Sequence, residues 1–385
     1  MCALVVFWAA GFVEARADQL PENVGASDHF GNIIQVSAGG GHTCGVTKQG
    51  DVWCWGTGHY GQLGNGLLGE GHFPRQVIGL RDVKQVAAGG QHTCAVQKNG
   101  DAWCWGDGYH GRLGNGQISN SSVPVRVLNL TEVKQVSAGA NHACALRENG
   151  DVWCWGEGSY GQLGNGFYRS RGEPVRVVDL ADVVQISAGN SHTCALKSSG
   201  EVWCWGKGTD GQLGPHRRNS ASPVRVPSTI KAMQISSGGN SSCAVRHGGD
   251  VWCWGSSGLE ERYGRVTADG RFPERITKFE DVIKVAAGYR HVCAIRKEGR
   301  VHCWGVGTAG RLGNGEADSS RVPVKVADLK DVARLSAGTN HTCAVQKSGK
   351  VWCWGRGTSG QLGDGLAKSS NVPVLAGEQT GQATH

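Results

Sequence analysis

Apolar residues in this chain fall in short runs separated by glycine-rich polar turns, and the runs recur every 50 residues, once every 49, through seven copies. Each copy opens with an apolar run such as 33–36, 83–86 or 133–136 and passes, in most copies through Ala-Gly, into a second run that in four copies contains His-Thr-Cys. A glycine turn, a Val-Trp-Cys-Trp-Gly run and a Gly-Gln-Leu-Gly loop follow. Within the runs the residues alternate: Cys44 and Val46 flank Gly45, and Val52 and Cys54 flank Trp53. That period of two marks strands rather than helices. The Pro-Val-Arg-Val runs at 124–127, 174–177 and 223–226 read as a further strand, with proline where a strand starts at a sheet edge. Four short strands in a repeat of this length are the pattern of a propeller blade. The fold expected over 33–376 is therefore an all-β, seven-bladed β-propeller with four antiparallel strands per blade. Length alone would have pointed to two or three domains, but the repeat leaves room for one.

Spacing inside the repeat sets a register. Gly50, Gly100, Gly150, Gly200, Gly249, Gly299 and Gly349 close a short hairpin turn at a place that demands left-handed backbone. Counting outward puts Gly45 opposite Trp53, and likewise Ala95 opposite Trp103 and Ala145 opposite Trp153, small against large as close packing requires. The same count puts Cys44 opposite Cys54, Cys94 opposite Cys104, Cys144 opposite Cys154 and Cys194 opposite Cys204. Cys243 then faces Cys253, Cys293 faces Cys303 and Cys343 faces Cys353, so one disulfide per blade is expected. Metal is the competing use of these thiols, but nine intervening residues do not make the short knuckle of a zinc site. Both faces of each hairpin are apolar, so each sheet needs a neighbour on both sides, which a closed ring supplies. An open solenoid would want distinct capping repeats, and neither end of the repeat array offers one. The first copy begins with one flanking strand and the last ends with the other near Pro373, so the two ends are expected to pair and latch the ring.

The runs VAAGGQHTCAVQKNGDAWCWGDGYHGRLGNG (86–116) and VSAGANHACALRENGDVWCWGEGSYGQLGNG (136–166) resemble the regulator of chromosome condensation repeat, a seven-bladed propeller module. The resemblance extends through all seven copies. It implies a protein-binding propeller, since members include exchange factors for a small nuclear GTPase, photoreceptors and secreted bacterial enzyme inhibitors. A cysteine pair in every blade departs from the cytosolic and nuclear members, and points to an oxidising compartment. Of fifteen cysteines, fourteen lie in the repeats and Cys2 lies in the apolar run 2–13, ahead of Ala15-Arg16-Ala17. That arrangement reads as a signal peptide over 1–17, without the usual basic start, whose removal takes away the odd cysteine. An N-terminal segment (18–32) and a C-terminal tail (377–385) complete the domain plan, for a protein secreted or held at the cell envelope or surface.

Candidate chemistry is sparse. His42, His92, His142, His192, His291 and His341 recur, with Ser242 in the seventh place, and are expected to tie backbone within their own blades rather than to hold a metal. The Gly-Gln-Leu-Gly-Asn-Gly loops lack the Lys-Ser/Thr and following helix of a phosphate loop. No catalytic constellation, metal site or cofactor motif is present. The formal net charge of +7 is diffuse, with no basic run longer than Arg217-Arg218, so no nucleic-acid footprint appears. Function is expected in what varies between copies: the loops before the His strand, the loops after Trp-Gly, and the segments 67–73, 167–173 and 216–222. Among these Tyr60, Tyr109, Tyr160, Tyr289 and Arg290 are the residue types that anchor interfaces. The fifth copy departs most, losing Gly-Gln-Leu-Gly after Ser256. The expected role is a secreted, non-catalytic, monomeric propeller that binds a protein or glycan. The alternatives are an exchange-factor-type regulator of a small GTPase and a propeller lyase or glycosidase.

Overall fold

The computed structural model describes residues 30–227, 231–256, 272–277 and 279–378. The signal-peptide reading (1–17), nearly all of the two flanking segments, and the divergent loop of the fifth copy from Ser257 to Tyr263 lie outside the described residues. Among the described residues, twenty-eight strands form seven four-stranded antiparallel sheets, each in simple sequence order. Blade 1 comprises β1 (Ile33–Ala38), β2 (His42–Thr47), β3 (Val52–Gly56) and β4 (Gly71–Gln76). Blade 2 runs from β5 (Val83–Ala88) to β8 (Ser121–Arg126), and blade 7 from β25 (Val332–Ala337) to β28 (Ser370–Leu375). The first strand of every blade is innermost and lines a central channel that encloses about 240 Å³.

Hairpin register follows the spacing. Cys44 faces Cys54, and the other six pairs face each other likewise. All seven disulfides are formed, with Cα atoms 4.0–4.1 Å apart. Hydrogen bonding at the turn, where Thr47 N–H donates to Asp51 O, makes the cysteine rung a non-bonded one. There opposed side chains stand closest. The small-against-large rung holds in six blades, whereas in blade 6 Ala294 faces His302 instead of tryptophan.

Blades stack disulfide face against tryptophan face. Cys44, Val46, Val52 and Cys54 of blade 1 pack on Ala95 and Trp105 of blade 2, with Leu63 and Val83 filling the gap. Trp105 is wholly buried, and its Nε1–H donates to Gln62 O of the preceding blade at 2.9 Å. The same bond joins Trp55 to Gln361, Trp155 to Arg112, Trp205 to Gln162, Trp254 to Gln212 and Trp354 to Arg311. A tryptophan so placed both fills the seam and satisfies its one polar atom. Gly114 shows why the loop beside it must be glycine: its φ is +69°, and an added Cβ would stand 2.8 Å from Trp155 Nε1. In the channel, the Gln35 amide accepts from Val86 N–H and donates to Val86 O of the next blade. Gln85, Gln135, Gln185 and Gln234 repeat this clasp.

Two expectations are corrected. The outer strands start before their proline: β8 spans Ser121–Arg126 with Pro124 inside it. An outermost strand has a free edge that needs no N–H, and the ladder shifts register between Cys104 and Gly106, so proline is tolerated there. The chain ends do not exchange strands, because β1 belongs to blade 1 and β28 to blade 7. Each repeat begins with an innermost strand and ends with an outermost one, which leaves nothing over to latch. The ring instead closes with bonds found at most other seams, Ala38 N–H to Ser336 Oγ at 2.9 Å and Thr339 N–H to Gly39 O at 3.0 Å, while Ala87 and Ala286 stand in the serine place at two of the others.

Candidate binding face

Two sets of loops leave each blade at the same end of the wheel. Thr57 N–H donates to Gly41 O, and Asp107, Glu157, Lys207, Val306 and Arg356 make the same bond to the matching residue of their blades. The loop between the first and second strands is thereby tied to the one between the third and fourth. At the opposite end, Val83 N–H donates to Gly50 O, joining the hairpin turn to the link between blades.

All five expected binding residues emerge on the first of these faces, but not as one patch. Tyr60, Tyr109 and Tyr160 lie in the third-to-fourth-strand loops of the consecutive blades 1 to 3 and are exposed, Tyr109 by 62%. Their backbones are fixed: Tyr60 and Tyr160 N–H donate to Gln62 and Gln162 side chains, and Tyr109 N–H to Asp107 Oδ1. The Tyr109 ring also leans on His110, with centroids 4.0 Å apart. Tyr289 and Arg290, both exposed, belong to blade 6. Tyr289 stands at the mouth of the channel among Gly40, Gly90, Ala140 and Gly239.

Several residues not named individually beforehand, most of them inside the variable segments 67–73 and 167–173, complete the picture on blades 1 to 3. Leu67 and Leu68, Ile118, and Phe167 and Tyr168 are exposed on the outer parts of the same loops, Leu68 by 70% and Ile118 by 73%. Gly66 N–H donates to Ser122 O and Gly69 N–H to Gly58 O, which pins this outer stretch to the loop face. Leu366 of blade 7 continues the series. The signal was available: these residues follow Gly-Asn-Gly or Gly-Asp-Gly, where blade 6 has Glu316, Ala317 and Asp318.

The histidines sit elsewhere. All six are buried, and His42 Nε2 lies 2.8 Å from Thr93 Oγ1 of the next blade, not of its own. Since Thr93 donates onward to Gln62 O, the imidazole must be the donor in the first bond. His142 with Thr193, His192 with Ser242, His291 with Thr342 and His341 with Thr43 repeat the pairing around the ring. Burial pushes His42 and His142 down to about 4, and His192, His291 and His341 to about 3. The seventh histidine position is corrected as well: Ser241, facing Gly255, occupies it, while Ser242 stands in the threonine place and receives His192. Among the described residues no group of three or more His, Cys, Asp or Glu gathers to hold a metal ion.

A family model described as the RCC1-like domain matches residues 128–384, and regulator of chromosome condensation (RCC1) repeat models match 49–96 and 99–146, and 33–62 and 83–112. The chain belongs to the RCC1 family. Among solved structures it is similar to human WBSCR16, with a TM-score of 0.76 at 24% identity, covering 85% of this chain and 93% of that one. It is similar to Prp20p from Saccharomyces cerevisiae, with a TM-score of 0.74 at 25% identity, over 86% of each chain. The CRINKLY WD40 ectodomain of the Arabidopsis thaliana receptor kinase ACR4 shares the fold more loosely, with a TM-score of 0.52 at 21% identity over 84% of this chain and 95% of that one. No curated protein matches the chain. Among the described residues of this RCC1 propeller, no helix is long and apolar enough to cross a membrane.

Proposed function

We propose that this RCC1 propeller is a secreted, non-catalytic binding protein that holds a protein partner on its loop face. The observation that carries the reading is the arc of exposed Tyr60, Leu68, Tyr109, Ile118, Tyr160 and Phe167 on three consecutive blades. Exposed apolar groups clustered on neighbouring blades mark interaction surfaces, and tyrosine is enriched among the residues that dominate binding energy. Seven buried disulfides support an extracellular setting, where such bonds persist. A non-catalytic role is supported by the six recurring histidines, which are buried and held neutral, five of them bonded across the seams between blades. Prp20p, similar over most of this chain, binds Gsp1p and histones, which are protein partners taken by the same scaffold.

The test is capture from the native culture fluid by the immobilised protein, followed by binding measurements with the captured partner. Tyr109→Ala with Tyr160→Ala removes two anchors, and at about 2 kcal/mol each the affinity should fall by several hundredfold. Thermal stability should stay unchanged. Undiminished binding by a folded double variant removes the arc as the site, and capture of a glycan instead of a protein removes the partner class.

A further inference from the structure

Blades 2 and 6 carry Arg112 and Arg311 where blades 1, 3, 4 and 7 have the glutamine of Gly-Gln-Leu-Gly. Both fold that loop through a 3-10 turn, Tyr109–Gly111 and Thr308–Gly310, so the two sites form a matched pair on one scaffold. Their surroundings are opposite in charge. Arg112 Nη1 stands 3.1 Å from Asp107 Oδ2, and Glu157 of the next blade adds a second negative charge nearby. The corresponding residues around Arg311 are Val306 and Arg356, and Arg290 takes the place of Gln91.

Backbone bonds hold these residues around one short turn of blade 7. Arg311 Nη1 donates to Thr339 O, Arg356 N–H to Asn340 O, and Tyr289 N–H to Gly338 O, while Val306 N–H donates to Arg290 O. Arg311 is only 6% exposed, and its remaining bonds go to Thr308 O and Thr308 Oγ1. Arg290 and Arg356 are exposed. Among the described residues none of the three guanidinium groups has an ion-pair partner. Burial first, then Arg290 and Arg356, pull Arg311 down to about 10. A buried cation flanked by two like charges is destabilising until a counter-charge arrives.

We propose that Arg290 and Arg356, with Arg311 behind them and Tyr289 beside them, receive the carboxylates of an acidic segment on the protein partner. Arginine is the residue suited to this, because its planar fork pairs with a carboxylate through two parallel hydrogen bonds. A long sulfated or phosphorylated chain fits less well. Glu316, Asp318 and Asp364 lie in the outer loops of the same two blades and interrupt any basic path that such a chain would follow. The inference rests on the loop face being the binding face.

Fluorescence anisotropy with labelled hexaglutamate, hexaglutamine and a heparin hexasaccharide tests it on the full secreted chain. Hexaglutamate should bind and hexaglutamine should not, and Arg290→Ala with Arg356→Ala should weaken hexaglutamate by about tenfold or more and flatten its salt dependence. Arg311→Gln, which restores the residue of the other blades, should weaken it as well. Arg126→Ala with Arg225→Ala removes the same number of charges from the ion pairs with Asp101 and Glu201 and should leave binding within about twofold. Equal losses in both double variants, binding of the heparin fragment alone, or binding of neither probe overturns the proposal. If Tyr109→Ala with Tyr160→Ala abolishes partner capture while Arg290→Ala with Arg356→Ala retains it, the arc stands and the acidic-segment site falls.

Discussion

Acid should unlock the ring through its buried imidazoles. His42 and His142 are held at about 4, His192, His291 and His341 at about 3, and His92 well below its usual value, with burial the leading cause in every case. In the unfolded chain each titrates near 6.5, so between these values the unfolded state binds more protons than the folded one. Stability is therefore complete above pH 6.5 and is lost as the pH falls from there toward the folded values. At pH 5 each of the five histidines with a defined value withdraws about 2 kcal/mol, about 10 kcal/mol together, and His92 acts in the same direction. For a folded ring of about 350 residues the unfolding entropy is about 0.7 kcal/mol/K, so the melting temperature should drop by about 14 °C between pH 7 and pH 5. Calorimetry under non-reducing conditions measures this directly. His142→Gln with His341→Gln should melt lower at pH 7 but depend on pH about a third less steeply. A wild-type melting temperature that moves by less than about 3 °C, or a double variant as acid-sensitive as its parent, would refute the assignment of these groups as neutral seam donors.

Two further outcomes follow from the seams and the hairpins. Of the six seam histidines His92 alone has neither ring nitrogen bonded, because Ala143 stands where threonine stands in the neighbouring seam. Ala143→Thr should add the missing bond and about 1 kcal/mol in denaturant unfolding, and a loss of stability would show the pocket too tight for the extra atoms. Cys94→Ala with Cys104→Ala opens a loop of ten-residue separation. It should cost about 3 kcal/mol in the chain-entropy model, measured against wild type in guanidinium, and a variant as stable as wild type would show that bridge to be redundant.

What was legible in the sequence is what repeats within one hairpin. Turn glycines and a period of two fix Cys44 against Cys54 and Gly45 against Trp53, and both rungs are present. Contacts between blades were less legible, since they do not fall at the repeat period itself. His42 meets Thr93 at a separation of 51, and Trp105 meets Gln62 at 43. Aligning copies by their period places equivalent residues in a column but does not pair them across a seam. Ser241 shows the same difficulty: counting 50 from His192 lands on Ser242, whereas the 49-residue spacing of that copy, read from Cys243, moves the position back by one. The candidate face was half legible. Tyrosines stood out by type, but Leu68, Ile118 and Phe167 lie in segments where variation looks like drift until their shared exposure on neighbouring blades is seen.

A ring of near-identical units offers an internal standard for telling tolerated variation from variation that leaves an energetic debt. Between blades 5 and 6 the histidine and its threonine are both absent, replaced by Ser241 and Val292, so no polar group is stranded. At the outer rung of blade 6, His302 takes the tryptophan place and meets the edge of Phe279 with centroids 5.3 Å apart, so the seam stays filled. These two breaks are compensated, whereas His92 loses its threonine partner to Ala143 and stays neutral in its pocket. Around Arg311 the change is one-sided: the buried cation is kept, the carboxylate that Asp107 supplies to Arg112 is gone, and Arg356 replaces the charge of Glu157 with its opposite. Packing alone gives no reason to hold three arginines together, because glutamine fills the same place in blades 1, 3, 4 and 7 with its side chain turned to a backbone N–H. The charge in blades 6 and 7, without an ion-pair partner among the described residues, is thus what the proposed acidic segment would balance.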